Sequence, residues 1–597
     1  MTCTADKDTF GSRTGRSLVN SRNVPIIAGL IFIALLTVYL YVMIDSLPDE
    51  DAYITYIYPQ SLLRGDGLTY HGVRVEGYTN LLTVLLVALV AGVTSLSPAV
   101  SGFLLSASLL GLSFASLFLI IVTSLRDRLT VWQGTSIGLA TILAIALTPY
   151  ALYWGFSGME NSLLTWVVLS AVLAYLADHR RIALGLAAII PLVRYDGVLL
   201  TAVLVLFYCL DRIITEKLYL SRGLLLKSSL KLLGVCAIVA IPFLLSVLFR
   251  VAYYGSFAPN TSYMKFFGRS ISDRFYEGLV YAWNSLWSSK VLLLLLIIFL
   301  GMCTKAFIWK RATILIGILL VISVLQMILV GGDVAWKPYA RFGYLTNMLG
   351  PLLFMISFTA KQIRRYTFLA VTLFALGVFL QSPLQPVRAT YAHQFVSSYH
   401  FEPNPVFRAA IQFGSFSSLA SAQVQSLAGD FPEDVLAVTG KYLRWVAEPS
   451  AGLITSAAGK VVYYSGLRTI DVSGLADVAW REGTFEQRMA LAQQATFLVV
   501  HTNDSYCQYR PYLDSNPPYR LVAIIYSPER YGGLYMYVYA NRAGLLRPDS
   551  LGERTLFARH PVHLAGQLID YYTDRFDPAV DLAALDATYA NWINCTN

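Results

Sequence analysis

The chain has 597 residues, 56% of them hydrophobic and only 14% charged, a composition that excludes a string of soluble domains and fits a polypeptide crossing a bilayer many times. The formal net charge of +9 is no sign of nucleic acid, because Lys and Arg stand in short clusters between apolar runs, the pattern of membrane topology. Six Cys residues are scattered without ligand spacing, so no zinc or iron–sulfur motif is present.

Residues 1–23 form a polar tail carrying Lys7, Arg13, Arg16 and Arg22, and Val24 to Ile44 is apolar throughout. This run is about twice the length of a signal-peptide core and no small-residue cleavage site follows it. It is expected to stay as the first span, with its basic flank in the cytoplasm and loop 45–80 outside. The loop opens Pro48-Asp49-Glu50-Asp51-Ala52-Tyr53 and closes Val75-Glu76-Gly77-Tyr78-Thr79-Asn80. Three consecutive carboxylates beside a span are costly to hold and mark a functional site by default. Acids this close repel, which raises one pKa and suits that group to act as a base; a solvated juxtamembrane loop carries the same charges. Glu76 and a dense set of Tyr residues, Tyr53 among them, suit a polar, aromatic-walled pocket. Asp49 and Asp51, in Asp-x-Asp spacing, offer oxygen ligands to Mg2+ or Mn2+, and metal-free base catalysis is equally consistent with them.

Leu81 to Val93 is too short for a comfortable crossing and reads as a re-entrant or interfacial helix. Only then does Arg126-Asp127-Arg128, after Ala99 to Leu125, fall in the cytoplasm. Ile137 to Trp154 leads out and Leu163 to Ala177 returns to His179-Arg180-Arg181, so Ser157-Gly158-Met159-Glu160-Asn161 lies at the outer rim. There Glu160 either shares a cavity with Asp51 or is a plain turn residue. Ile182 to Leu210 is interrupted by Arg194-Tyr195-Asp196-Gly197 and basic on both flanks. It reads as two half-helices meeting at a polar break, the alternative being one helix with a packing ion pair between Arg194 and Asp196. Leu232 to Ala252 leads to a second external loop, Tyr253 to Ser289, containing Asn260. Val291 to Cys303 and Ile314 to Val330 follow, then an external segment with Asp333, Lys337 and Arg341, suited to gripping a phosphate or a sugar. Tyr344 to Ala360 and Thr367 to Leu380 complete a count of nine spans, one broken hairpin and one re-entrant helix.

From Gln381 onward Pro, Gly and polar residues appear and apolar runs shorten to strand length: Val435 to Thr439, Lys460 to Tyr464, Thr496 to Thr502, Leu521 to Tyr526 and Leu534 to Ala540, with a helix over Thr484 to Ala495. Residues 381–597 are therefore expected to form a separate extracytoplasmic domain, mixed α/β or β-rich, that binds glycan or covers the membrane part. An oxidising exterior permits a bridge between its two cysteines, Cys507 and Cys595.

The motifs stand in a fixed order: Glu50-Asp51-Ala52-Tyr53-Ile54-Thr55, Glu76-Gly77-Tyr78-Thr79-Asn80, Ser157 to Asn161, Arg194 to Gly197, Tyr254 to Thr261, Gly331-Gly332-Asp333 and Arg341-Phe342. Together they resemble a bacterial family of GT-C glycosyltransferases that includes the actinobacterial terminal arabinofuranosyltransferases, whose donor is a decaprenyl phosphate. Two departures stand out. Glu50 replaces the first Asp of the common Asp-Asp-Ala-Tyr-Ile-Ser form, which leaves open which acid is the base. Tyr195-Asp196 replaces Pro-Glu or Pro-Asp, which leaves the role of the Arg194 motif open.

The resemblance implies a GT-C-like polytopic α-helical membrane domain over 24–380, followed by the C-terminal domain. It implies a plasma-membrane enzyme that moves a sugar, arabinofuranose by this subfamily, from a polyprenyl-phosphate donor to a cell-envelope glycan at the outer face, with inversion. Asp51 would be the base and Glu50 its partner. Glu76, Tyr53, Glu160, Arg194, Asp196, Asn260, Asp333, Lys337 and Arg341 would bind donor or acceptor. No nucleotide cofactor is needed for a donor that is already a lipid phosphate. A lipid or sugar transporter or flippase is the alternative, favoured by the broken helix and internal charges and opposed by the concentration of acids in one external loop.

Overall fold

A computed structural model describes residues 23–43, 48–146, 148–215, 222–267, 270–289, 291–303, 310–331, 341–357, 435–501, 506–513, 519–527, 534–541 and 562–563. Asp333, Lys337, the expected span Thr367 to Leu380 and the Cys507–Cys595 pairing lie outside the described residues or side chains.

The membrane part contains α1 (Val24–Met43), α2 (Glu50–Leu63), α3 (Leu81–Thr94), α4 (Pro98–Leu125), α5 (Val131–Ala146), α6 (Pro149–Gly155), α7 (Asn161–Leu176), α8 (Arg180–Val193), α9 (Val198–Thr215), α10 (Arg222–Tyr254), α11 (Asn260–Phe267), α12 (Ile271–Ser288), α13 (Val291–Cys303), α14 (Arg311–Val330) and α15 (Tyr344–Ser357). Among the described residues, five stretches are long and apolar enough to cross a membrane: Val24–Tyr41, Pro98–Leu125, Tyr195–Thr215, Ser229–Tyr254 and Arg311–Val330. The chain is a polytopic α-helical membrane protein.

Polar contacts define two ends of the bundle. At one, Lys310 Nζ meets Asp127 Oδ2 at 3.0 Å, Arg311 Nε meets Asp211 Oδ1 at 2.9 Å, and Arg128 Nη1 donates to Ile356 O at 2.9 Å. The basic returns thus gather on one side. The acidic turn of α2 lies at the other. Both ends of α3 belong to this acidic side: Asn80, just before it, donates to Glu160, and Ala99, just after it, donates its amide to the Tyr463 hydroxyl. Its 14 residues cover about 21 Å at the helical rise, short of a hydrocarbon core of about 30 Å.

The polar break expected after α8 is present. Arg194 is extended (φ −148°, ψ 132°) and Tyr195–Gly197 form one 3-10 turn. Thr201 Oγ1 then reaches back to Ala187 O at 2.7 Å, so α8 and α9 fold against each other; α8 has the length of a half-helix, whereas α9 lies in the 21-residue stretch Tyr195–Thr215, which is long enough to cross by itself. Two other expectations are corrected. The run Ile137 to Trp154 is divided between α5 and α6, where Thr148 caps the second helix by accepting the Ala151 amide. The second loop is largely helical: the Ser270 hydroxyl accepts the Asp273 amide and starts α12, whose Ile271, Phe275, Leu279, Trp283 and Trp287 recur every four residues on an exposed stripe.

The C-terminal part is a mixed α/β domain: α16 (Val435–Val446), β1 (Gly452–Thr455), α17 (Lys460–Ser465), β2 (Arg468–Asp471), α18 (Val478–Glu482), α19 (Phe485–Gln494), β3 (Phe497–His501), α20 (Tyr506–Leu513), β4 (Arg520–Ser527), β5 (Leu534–Ala540) and β6 (Val562–His563). The sheet order is β2-β1-β3-β5-β4-β6, parallel among the first three strands and antiparallel from β3 to β6. Inward residues alternate along β3, with Phe497 and Val499 packing with α16 on one face and Leu498 and Val500 packing with Trp480 and Ala492 on the other. The runs Val435 to Thr439 and Lys460 to Tyr464, read as strands, are helical. Four consecutive apolar residues, Val461 to Tyr464, are all buried, and such a run has no period that separates strand from helix. Gly440 brings the two helices together, since a Cβ there would lie 2.7 Å from Val461 O.

Candidate active site

Asp49 starts α2. Its backbone is extended and its Oδ1 accepts the Asp51 amide at 3.0 Å, an N-cap. Its Oδ2 receives the Tyr153 hydroxyl at 3.1 Å and its amide donates to Ser157 O at 2.9 Å, which ties α2 to the turn before α7. Gly158 in that turn has φ +73° and lies so close to Tyr56 that a Cβ would meet its hydroxyl at 2.1 Å. Tyr56 donates to Gly158 O at 2.8 Å. The Ser157–Asn161 motif is thereby held against the first turn of α2.

From this frame an alternating line of charge runs inward. Asp51 Oδ2 lies 3.2 Å from Arg341 Nη1, and Arg341 Nη2 lies 3.2 Å from Glu160 Oε1. Arg194 Nη1 approaches the same Glu160 oxygen at 3.5 Å. The Arg194 fork then grips Asp196 through Nε to Oδ1 at 3.0 Å and Nη2 to Oδ2 at 2.9 Å. Asn80 Nδ2 completes Glu160 by donating to Oε2 at 3.0 Å. Phe342 underlies both cations, 4.4 Å from the Arg194 guanidinium and 5.5 Å from that of Arg341. Burial by itself would raise the Glu160 carboxyl, but Arg341 and Arg194 outweigh it and hold the group below the ordinary carboxylate range. Glu160 is therefore an anion at neutral pH. The two ends of the line are its partly open members, Asp51 with 27% of its side chain exposed and Asp196 with 24%, against 8% for Arg194 and Arg341 and 1% for Glu160.

A cavity borders Arg194, Arg341 and Phe342, with Asn161, Thr165 and Gln326 on its wall. Asn161 Nδ2 and Thr165 Oγ1 are buried without hydrogen-bond partners among the described residues.

The other acids are placed elsewhere. Glu50 turns away from Asp51: its Oε1 accepts the amides of Gly459 at 2.9 Å and Lys460 at 3.0 Å, and its Oε2 accepts that of Lys460 at 3.0 Å. Glu76 forms a buried pair with Arg250, whose Nε reaches both carboxylate oxygens at 2.9 and 3.0 Å, and the Arg250 guanidinium covers the Tyr195 ring at 5.0 Å. Burial lifts the Glu76 carboxyl to about 7, and Arg250 offsets part of that rise. Asn260 takes its amide to Glu76 O at 2.9 Å and its Nδ2 to Gly474 O and Leu475 O at 2.7 and 2.8 Å, linking α11 to the α/β domain. Tyr53 is buried and shares a 3.3 Å hydroxyl contact with Tyr464. Tyr56, Tyr58 and Tyr70 bond backbone carbonyls. Tyr53 and Tyr70 thus join the loop to the α/β domain, Tyr58 ties the loop to itself and Tyr56 anchors α2 to the turn before α7, all of them buried.

Sequence reasoning missed Arg250. The signal was available as a single cation in the otherwise apolar run Leu232 to Ala252, which calls for a buried counter-ion. Of the two carboxylates offered for a metal, Asp49 accepts hydrogen bonds on both oxygens and Asp51 faces a guanidinium, so this pair makes a poor shared cation site. No cluster of three or more metal-ligating side chains occurs among the described residues.

No family model matches the chain, and no curated protein matches it in sequence. Solved structures give distant likenesses. ArnT from Cupriavidus metallidurans in the apo state is 15% identical, over 87% of this chain and 99% of its own, with a TM-score of 0.47. The same protein bound to undecaprenyl phosphate gives 13% identity, 88% and 99% coverage and a TM-score of 0.48. The oligosaccharyltransferase of Archaeoglobus fulgidus in the apo form gives 13% identity, 87% and 74% coverage and a TM-score of 0.42. Likenesses this remote assign no role to any residue. What the structure itself defines is a polytopic membrane protein with an ion-paired centre at one end of its bundle and an α/β domain packed against the neighbouring first turn of α2.

Proposed function

We propose that the protein is a membrane glycosyltransferase that moves a sugar from a polyprenyl-phosphate donor to a cell-envelope glycan, with inversion, and that the sugar is arabinofuranose. The observation that carries the reading is a partly open carboxylate, Asp51, paired with Arg341 and set next to a second guanidinium, Arg194, that shares Glu160 with it, at the end of an apolar bundle. A lipid phosphate arriving from the bilayer competes with Asp51 for Arg341 and leaves the carboxylate able to take a proton. The acceptor hydroxyl then gives its proton to Asp51 as its oxygen bonds to the anomeric carbon. The bond from that carbon to the phosphate oxygen breaks with its electron pair, and Arg341 and Arg194 neutralise the departing polyprenyl phosphate. Glu160, fixed as an anion, keeps the two cations side by side. Asp51 is favoured over Glu50 as the base by the direction of the two carboxylates, and arabinofuranose is favoured by the resemblance of the loop motifs.

The competing reading is a lipid or sugar carrier. Purified protein in detergent, given a polyprenyl-phosphate sugar and an oligosaccharide acceptor, distinguishes them: glycosidic product in the absence of any sealed vesicle supports the enzyme, and translocation in vesicles without product supports the carrier. The reading routes no step through Mg2+ or Mn2+, so turnover is expected to survive excess EDTA.

A further inference from the structure

We infer that Glu50 is a positioning residue rather than a second acid, and that the α/β domain completes the catalytic centre by holding it. This rests on the reading of Asp51 as the base. Glu50 and Asp51 are neighbours in the first turn of α2 and point to different sides, Asp51 to Arg341 and Glu50 to the turn that enters α17. Both Glu50 oxygens are engaged there by the amides of Gly459 and Lys460. The fit is close enough to exclude a side chain at position 459: a Cβ would lie 2.1 Å from Glu50 O and 2.8 Å from Glu50 Oε1.

The same short segment is held at further points. Tyr70 donates to Ala458 O at 2.6 Å, His71 Nε2 lies 3.1 Å from Val462 O, and Lys460 Nζ sits 5.4 Å from the Tyr53 ring centre. Ala458, Val462, Tyr463 and Tyr464 belong to the same buried core as α2 and α4. The domain therefore reaches behind the first turn of α2. Fixing Glu50 fixes the rotation of that turn, and with it the direction in which Asp51 meets Arg341. Reach is the requirement at position 50, since Asp would be shorter by about one carbon–carbon bond, about 1.5 Å, and would not span to both amides. Charge is the lesser requirement, because a carboxamide oxygen in the place of Oε1 accepts the same two amides and gives up only the second bond from the Lys460 amide to Oε2.

The test exploits the opposite orders expected of the two roles. For a positioning residue, Glu50→Gln retains more turnover than Glu50→Asp, and the Asp variant loses kcat by about a hundredfold, the scale of a misplacement of about 1 Å, with the donor KM little changed. For an acid, Asp outperforms Gln, and that order overturns the inference. Hydrogen exchange on the full-length protein supplies a readout independent of the reaction. Glu50→Asp is expected to speed exchange at Gly459 and Lys460 while β1 and β3 stay protected, and Glu50→Gln is expected to leave those two amides slow. Unchanged exchange in the Asp variant refutes the clasp whatever the chemistry, and loss of protection in β1 and β3 as well shows domain unfolding in place of a local clasp and also refutes it. Faster exchange confined to the clasp, in a protein whose wild type transfers no sugar, upholds the contact and refutes the transferase.

Discussion

Asp51, Glu160, Arg194, Asp196 and Arg341 come from four separate stretches of sequence, and each was visible beforehand as a charge where an apolar chain should not carry one. Their order in space was not visible, because it depends on how α2, α7, the α8–α9 break and the turn before α15 pack. Nor could the sequence tell that Glu50 and Asp51 face different ways, since adjacent acids look alike until one finds amides and the other a guanidinium. Replacing Asp51 with Asn keeps its size and hydrogen bonding but removes the proton acceptor, so transfer is expected to fall by about two to four orders of magnitude with normal expression, measured as product formed per mole of purified protein. Near-normal turnover would place the base elsewhere. Arg341 tests the phosphate side. It touches Asp51 and Glu160 with different nitrogens, a bridge that a Lys point charge cannot make. Arg341→Lys is therefore expected to lower kcat clearly more than it raises the donor KM.

Among the elements, the apolar runs that became α1, α4, α10 and α14 were legible because nothing but a helix buries their length. The polar break at Arg194 was legible for the converse reason. The segment Lys460 to Tyr464 was not, because its helical state is decided by partners: Glu50 receives its first amides, and Gly466, at φ +66°, ends it in the left-handed cap that glycine favours. Arg250 was missed because its meaning depends on Glu76, 174 residues away. That pair makes its own prediction. Breaking a buried ion pair leaves one charge uncompensated, so Arg250→Met is expected to cost about 3 to 5 kcal/mol, whereas the double variant Glu76→Gln, Arg250→Met recovers most of the loss. The pH dependence follows from the raised Glu76 carboxyl. Its contribution to stability is fully present below the ordinary carboxylate pKa and is lost as pH rises through about 7. Removing the Arg250 charge pushes that carboxyl higher still, so relative to wild type the single variant is destabilised more at pH 8 than at pH 6, whereas the double variant, which lacks the titrating carboxyl, is destabilised less at pH 8 than at pH 6. Thermal unfolding in detergent at the two pH values measures this.

At the scale of the whole molecule, the two ends of the bundle carry opposite chemistry. Lys310–Asp127 and Arg311–Asp211 knit the basic returns into one end, and the charged centre with its neighbouring α/β domain occupies the other. The short α3 is part of this arrangement, because it starts and finishes on the acidic side and so leaves α4 to run from that side to the basic one. The expectation that α3 does not cross came from counting basic clusters, and its length and end contacts give the same picture physically. The positive-inside rule predicts the basic end in the cytoplasm, and with it Asp51, and under the proposed function the donor phosphate, at the outer leaflet. Single cysteines in a background lacking the native ones test this orientation. Phe485 is exposed on the α/β domain, and Asp178 is exposed at the basic end, its side chain 81% accessible. A membrane-impermeant thiol reagent applied to intact cells is expected to label Phe485→Cys and to spare Asp178→Cys until the cells are permeabilised. The reverse pattern would turn the centre toward the cytoplasm and require a donor in the inner leaflet. Labelling of both in intact cells would put the two ends on one side of the membrane, which requires an even number of crossings between positions 178 and 485 and overturns the arrangement.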